Sequence, residues 1–165
     1  MKNSRVEVTN EDLDRILGIY NREYHFLRSA RICGDTIEGT FKVGEKCPFL
    51  KEGRERFQHV SEIELDFCLS QLAYFSIHNL ISRGNRDSGG LEFFEIQKNG
   101  ILTAISSKKF RKPVNPYKEF KGSLEFVKVD STPTNISLFY EGNFDDNAVL
   151  VPEYVVSVFL KRGEK

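Results

Sequence analysis

His59-Val-Ser-Glu-Ile-Glu-Leu-Asp-Phe-Cys-Leu-Ser-Gln-Leu-Ala-Tyr74 is the stretch on which the fold turns. It opens on a polar, titratable run and passes into a segment that is apolar on nearly every side. The spacing predicts a helix over Phe67–Arg83, with Gly84 as its stop. A helix that is hydrophobic all round is a buried one. Yet this one keeps Ser70, Gln71, Tyr74 and His78, and each buried polar group needs a partner or a task.

Upstream, Thr9 followed by Glu11 and Asp12 reads as an N-cap with an acidic first turn. Leu13, Ile16, Leu17 and Tyr20 then fall at helical spacing, which predicts a helix from about residue 10 to 24. Leu27 to Val43 alternates and breaks at Gly34-Asp35, a hairpin signal. Cys47 to Gln58 is polar and reads as a loop. Downstream, Asn85 to Gly90 is turn material and Leu91 to Gln97 reads as a short helix. Strands are expected over Ile101–Phe110, Lys118–Asp130, Asn135–Phe144 and Val149–Lys161, with a phase change at Phe126-Val127 that marks a bulge. The plan is α+β in one domain over residues 1–165: a curved antiparallel β-sheet wrapped around one long central helix, with an N-terminal helix beside it. That is the hot-dog architecture.

The bulk numbers agree with a soluble chain holding its own core. Of 165 residues, 39% are hydrophobic, with 14 Phe and no Trp. The 24 basic and 24 acidic residues cancel, which gives nucleic-acid binding no support. No run approaches the roughly 18 apolar residues of a membrane span, and the N-terminus lacks a signal-peptide core. Cys33, Cys47 and Cys68 are odd in number and lack metal-ligand spacing, so a reduced, cytoplasmic setting without metal or cofactor is expected.

Three segments resemble the FcoT-like long-chain fatty acyl-CoA thioesterases, a hot-dog group. They are Tyr24 to Ile32 with Gly39-Thr40-Phe41; His59 to Tyr74, where His59, Glu64, Cys68, Gln71, Leu72 and Tyr74 keep the family spacing; and Ser106 to Asn115 with Phe120-Lys121-Gly122. The similarity runs from about residue 20 to 125. Ser61 and Ser70 stand where family members place asparagines of the active-site region, and Pro48-Phe49 follows Cys47 where a tyrosine is usual. The resemblance implies hydrolysis of fatty acyl thioesters on coenzyme A or acyl carrier protein. Relatives in isonitrile lipopeptide pathways imply a rival: addition of an amine such as glycine to an α,β-unsaturated acyl-carrier-protein thioester, then release. A non-enzymatic acyl-chain binder is a further alternative. Fold analogy implies a homodimer or higher homo-oligomer.

Hydrolysis requires a polarised carbonyl, an activated water and room for the acyl chain. The helix N-terminal turn, expected near Asp66 to Leu69, offers free N–H groups for an oxyanion; otherwise Asp66 is simply its cap. His59 and Glu64 are the candidate general acid/base pair, the bland alternative being a surface His and a salt-bridged Glu. Ser70 and Tyr74 share a helical face that His78 extends, with Gln71 alongside. These form either a substrate-orienting stripe or an ordinary hydrogen-bond network. The candidate catalytic residues are thus His59, Glu64, Ser70 and Tyr74, and the candidate substrate-binding residues Tyr24, Ser61, Asp66 and Gln71. Tyr20 joins Tyr24 as a candidate for the acyl entrance. Lys108, Lys109, Arg111 and Lys112 form the one basic cluster, suited to phosphates or an acidic carrier, or to guarding an edge strand.

Overall fold

The computed structural model describes residues 5–44, 58–82, 101–132 and 135–159. In chain order these form β1 (Arg5–Glu7), α1 (Asn10–Leu17), a 3-10 turn (Arg22–Tyr24), β2 (Leu27–Cys33), β3 (Thr36–Phe41), α2 (Glu62–Ser82), β4 (Ile101–Phe110), β5 (Phe120–Thr132), β6 (Asn135–Phe144) and β7 (Val149–Phe159). One antiparallel sheet runs in the order β1-β2-β3-β5-β6-β7-β4, and α2 packs on β2, β3 and β5. This is the hot-dog arrangement expected from the sequence. The expected loop over Cys47–Gln58, apart from Gln58, the stop at Gly84, the turn and short helix over 85–97, and Leu160-Lys161 lie outside the described residues.

Burial explains why α2 sits inside the sheet. Leu65, Cys68, Leu69 and Leu72 are fully enclosed, and Phe75 and Ile77 nearly so. Each such side chain contributes about 1.5–3 kcal/mol by leaving water. Opposite it the sheet supplies Phe41, Phe120 and Phe144 as a cluster of ring contacts 5.6–6.2 Å apart. Gly39 and Gly122 face each other across β3 and β5. A Cβ on Gly122 would come within 2.4 Å of the Phe144 ring, and one on Gly39 within 2.8 Å of the Leu72 side chain. Their missing side chains make the room those groups occupy.

Several local expectations change. α1 is capped by Thr9 as expected, its Oγ1 accepting from the Asp12 N–H at 3.1 Å, but the helix ends at Leu17 instead of 24. Gly18, a poor helix former, closes it, and the chain turns so that the Tyr20 hydroxyl reaches Ser70. The short strand β1, paired with β2, carries no sequence signal and was not expected. The hairpin forms at Gly34-Asp35 with Gly34 at φ 63°, the conformation glycine supplies to the first position of a tight hairpin turn. The strand expected over 118–130 is displaced to Phe120–Thr132, and the bulge is present: the β5–β6 register shifts between Phe126 and Lys128, leaving Val127 half-exposed.

Candidate active site

The largest correction concerns the start of α2. It begins at Glu62, five residues before Phe67, because Ser61 and Glu64 form a capping box. Glu64 Oε2 accepts from the Ser61 N–H at 2.8 Å and from Ser61 Oγ at 2.9 Å, while Ser61 Oγ accepts from the Glu64 N–H at 3.3 Å. Asp66 is therefore not a cap, and the free helix N–H groups lie one turn earlier than expected. Ser61 is a structural cap. Glu64 is 1% exposed within α2, while His59 is exposed on the preceding loop beside Arg111 and Lys112.

Early initiation creates a longer polar series than the sequence suggested: Glu62, Asp66, Ser70, Tyr74 and His78, each four residues after the last. Four residues turn a helix by about 400°, so each step drifts about 40° around the axis. The series winds, and its members meet different partners.

Asp66 meets β4. Ser106 and Lys108 share a face of that strand by its period of two, and both point at the carboxylate. Asp66 Oδ1 accepts from Lys108 Nζ at 2.6 Å and from Ser106 Oγ at 2.9 Å, with Lys108 Nζ also 2.6 Å from Ser106 Oγ and 3.4 Å from Glu62. The Lys108 side chain is 2% exposed but that of Asp66 is 46% exposed. Lys108 thus leaves the basic cluster, of which Lys109, Arg111 and Lys112 remain exposed. Its burial coincides with a register irregularity between Ser107 and Lys109, opposite Pro152, which has no N–H for the ladder.

Ser70 meets Tyr20. Its hydroxyl donates to the Phe67 carbonyl at 3.0 Å and accepts from the Tyr20 hydroxyl at 3.0 Å. Tyr20 packs edge-on against Tyr74 at 6.0 Å. These residues line a cleft of about 170 Å³ with Ala73, Ile77, Tyr154 and Val156. Tyr154 sits directly across from Ser106 on one side and Tyr140 on the other, so the cleft and the Asp66 group share one sheet row. Among the described residues no hydrogen bond engages the Tyr154 hydroxyl. Burial, before any neighbouring charge, holds the Tyr154, Tyr20 and Tyr74 phenols above their usual range. They are neutral donors.

Gln71, Tyr24 and His78 do not line this cleft. Gln71 is fully buried, its Oε1 accepting from the Leu27 N–H at 2.9 Å and its Nε2 donating to the Tyr24 carbonyl at 2.5 Å. It clamps the entry of β2 onto α2 and does not line the cleft. Tyr24 stacks on Phe67 at 5.0 Å and is not part of the cleft lining. His78 pairs with Arg15 of α1 at 3.0 Å, and partial burial, with help from Arg15, lowers its pKa. Cys68 is enclosed, and burial raises its thiol pKa, which makes it a core residue. Sequence reasoning did not single out Ser106 or Tyr154, and it placed Lys108 in the basic cluster instead of beside Asp66. The available signal was the two-residue spacing of Ser106 and Lys108 opposite the four-residue spacing of Glu62 and Asp66. Among the described residues no group of His, Cys, Asp or Glu could hold a metal ion, and no helix is long and apolar enough to cross a membrane.

Comparison with known proteins adds the following. Residues 15–146 match the FcoT-like thioesterase domain. A (2E)-enoyl-acyl-carrier-protein glycyltransferase of Streptomyces coeruleorubidus is 30% identical over 125 residues, covering 71% of this chain and 72% of the relative. The fold resembles zebra fish thioesterase superfamily member 2, with a TM-score of 0.55 at 9% identity over 93% of this chain and 99% of that one. It also resembles a dehydratase heterocomplex from Xenorhabdus doucetiae, with a TM-score of 0.52 at 14% identity over 92% and 93%.

Proposed function

The chain belongs to the FcoT-like thioesterase domain family, and from that premise we propose that it hydrolyses acyl thioesters carried on coenzyme A or an acyl carrier protein, with Asp66 as general base. The observation that carries this reading is the half-exposed Asp66 carboxylate, fixed through Oδ1 by Lys108 and Ser106, one helical turn before the hydroxyl-lined cleft. Tethering one oxygen fixes the carboxylate's orientation and leaves Oδ2 to take a proton.

In this reading the thioester carbonyl lies in the cleft with its oxygen toward the Tyr154 and Tyr74 phenols. Neutral phenols in a water-poor site stabilise the developing oxyanion and need no reorganisation. Asp66 removes a proton from water as the water oxygen bonds to the carbonyl carbon. The tetrahedral intermediate then expels the thiolate, which takes the proton back from Asp66, leaving a carboxylic acid and a free thiol. Ser70 holds the Tyr20 hydroxyl and shapes the wall; its own hydroxyl is committed to the Phe67 carbonyl. At about 170 Å³ the cleft is smaller than the roughly 300–1,000 Å³ of drug-sized sites, which favours a short acyl segment beside the thioester.

A second reading is supported by the glycyltransferase relative. There the amine of glycine takes the place of water and bonds to the β-carbon of an α,β-unsaturated thioester; Asp66 removes the ammonium proton, and the α-carbon gains one. The same cleft serves both. Incubating the protein with crotonyl and saturated short-chain thioesters, with and without glycine, while following thiol release and product mass, separates them. Thiol release without glycine supports hydrolysis. An N-alkylated glycine product supports addition. Neither signal, with a fatty ligand co-purifying, supports a binding protein and defeats both.

A further inference from the structure

Where the polar series on α2 begins, the surface changes character. A cleft of about 500 Å³ lies between the pre-helix loop and the end of β4, lined by His59, Val60, Glu62, Phe110, Arg111 and Lys112. Its frame is held by backbone: the Val60 N–H donates to the Val114 carbonyl at 2.9 Å, and the Arg111 and Lys112 N–H groups donate to the Ala148 carbonyl at 2.8 and 3.1 Å. On this frame Lys109, Arg111 and Lys112 are all exposed, and Phe110 is 52% exposed among them. The chain as a whole is electrically neutral, so this concentration of cations around one bare aromatic ring is local.

Among the described residues no ion pair engages Lys109, Arg111 or Lys112. Lys108, next in sequence, is drawn under the sheet to Asp66, while its neighbours point away. A bare apolar ring rimmed by cations suits a protein surface that offers acidic side chains around a small apolar contact. A free nucleotide would also meet the cations with its phosphates and stack its base on Phe110, so the coenzyme A thioester is one arm of the test below. Position agrees: Glu62, on the wall of this cleft, is four residues before Asp66 and twelve before Tyr74. At 1.5 Å per residue those are about 6 and about 18 Å along α2. An extended phosphopantetheine arm entering at Glu62 would lie along the series and bring its thioester beside Asp66 and the cleft.

We propose that the Lys109–Lys112 ridge with Phe110 is the docking surface for an acidic carrier domain that delivers its acyl group on a phosphopantetheine arm. The inference rests on the thioester reading above and names the form in which the substrate arrives. Electrostatic contacts of this kind raise encounter rates and weaken with salt.

The test reverses the three charges together, Lys109→Glu, Arg111→Glu and Lys112→Glu, none of which touches the Asp66 group or the hydroxyl cleft. Binding of a fluorescently labelled acidic holo-acyl carrier protein is measured by anisotropy, and kcat/KM is compared for carrier-bound, coenzyme A-bound and N-acetylcysteamine-bound crotonyl thioesters. The expected result is at least tenfold weaker carrier binding, a matching loss of kcat/KM for the carrier-bound substrate, loss of its salt dependence, and unchanged turnover of the N-acetylcysteamine thioester. Unchanged carrier binding overturns the proposal. So does a loss confined to the coenzyme A thioester, which would assign the ridge to nucleotide phosphates. A changed oligomeric state with unchanged carrier binding would assign it to a contact between copies, and also overturns it. Because binding is read without turnover, a wild-type protein that binds carrier but turns over no thioester would defeat the functional reading and leave the docking surface standing.

Discussion

Replacing Gln71 by leucine separates scaffold from site at the position where the two were hardest to tell apart in the sequence. Leucine keeps helix propensity and nearly the same volume, so the perturbation is the loss of one amide. That amide accepts from the Leu27 N–H at 2.9 Å and donates to the Tyr24 carbonyl at 2.5 Å, in a residue with no solvent exposure. The substitution leaves both backbone groups without these bonds, at about 1–3 kcal/mol each. Part of this is offset because the amide no longer has to be desolvated, giving a net loss of about 2–4 kcal/mol. For a chain of this length, roughly 2–4 °C of melting temperature goes with each kcal/mol, so Tm should fall by about 5–15 °C. Well below that Tm, KM and kcat for a small thioester should stay within about twofold, because Gln71 does not line the cleft. Circular-dichroism melting and thiol release at low temperature measure the two quantities. An unchanged Tm with turnover lost would refute the clamp and return Gln71 to the substrate.

Three further outcomes follow from the same geometry. Asp66→Asn keeps one acceptor oxygen for Lys108 and Ser106 but removes both the base and the carboxylate that pairs the buried Lys108, so kcat should fall by about 10²–10⁴-fold with some loss of Tm from the unpaired ammonium; wild-type rates would exclude Asp66 as the base. Tyr74→Phe should lower kcat strongly while Tm stays nearly constant, since the ring contact with Tyr20 at 6.0 Å survives, and unaltered kinetics would remove Tyr74 from the site. His78 binds its proton less readily in the folded state than in the unfolded chain, because of partial burial and then Arg15. The unfolded chain therefore takes up the proton first as pH falls through about 6.5, and stability present above that pH is lost below it. The Tm difference between about pH 7.5 and pH 5.5 should shrink in His78→Gln, and an unchanged difference would count against this linkage.

The fold was legible because its decisive signals are local. α2 is apolar on nearly all sides, β6 alternates with period two over Asn135–Phe144, and Gly34-Asp35 marks its hairpin without ambiguity. The places where reading failed are places where a tertiary contact overrode a local one. The helix expected over residues 10–24 stops at Leu17, so that Tyr20 can reach Ser70. α2 begins early because Ser61 and Glu64 cap each other across three residues, a box present in the sequence where Glu64 is expected to be catalytic and Ser61 to bind substrate. The Asp66 group needed a register no single segment reveals: Ser106 lies opposite Tyr154, and both lie beneath a helix some forty residues upstream of β4. Of the expected site residues, the structure groups Ser70 and Tyr74 at the cleft with Asp66 one turn away, while His59, Ser61, Glu64, Gln71 and Tyr24 do not line it.

The most direct test is a crystal structure with a non-hydrolysable acyl-pantetheine amide. The expected result has the amide carbonyl within hydrogen-bond distance of the Tyr154 or Tyr74 hydroxyl, the acyl carbons against Ala73, Ile77 and Val156, and the arm leaving past Asp66 toward Glu62. An analogue bound elsewhere, such as the polar groove on the sheet between Arg31, Lys121 and Asn143, with the hydroxyl cleft unfilled, would contradict it.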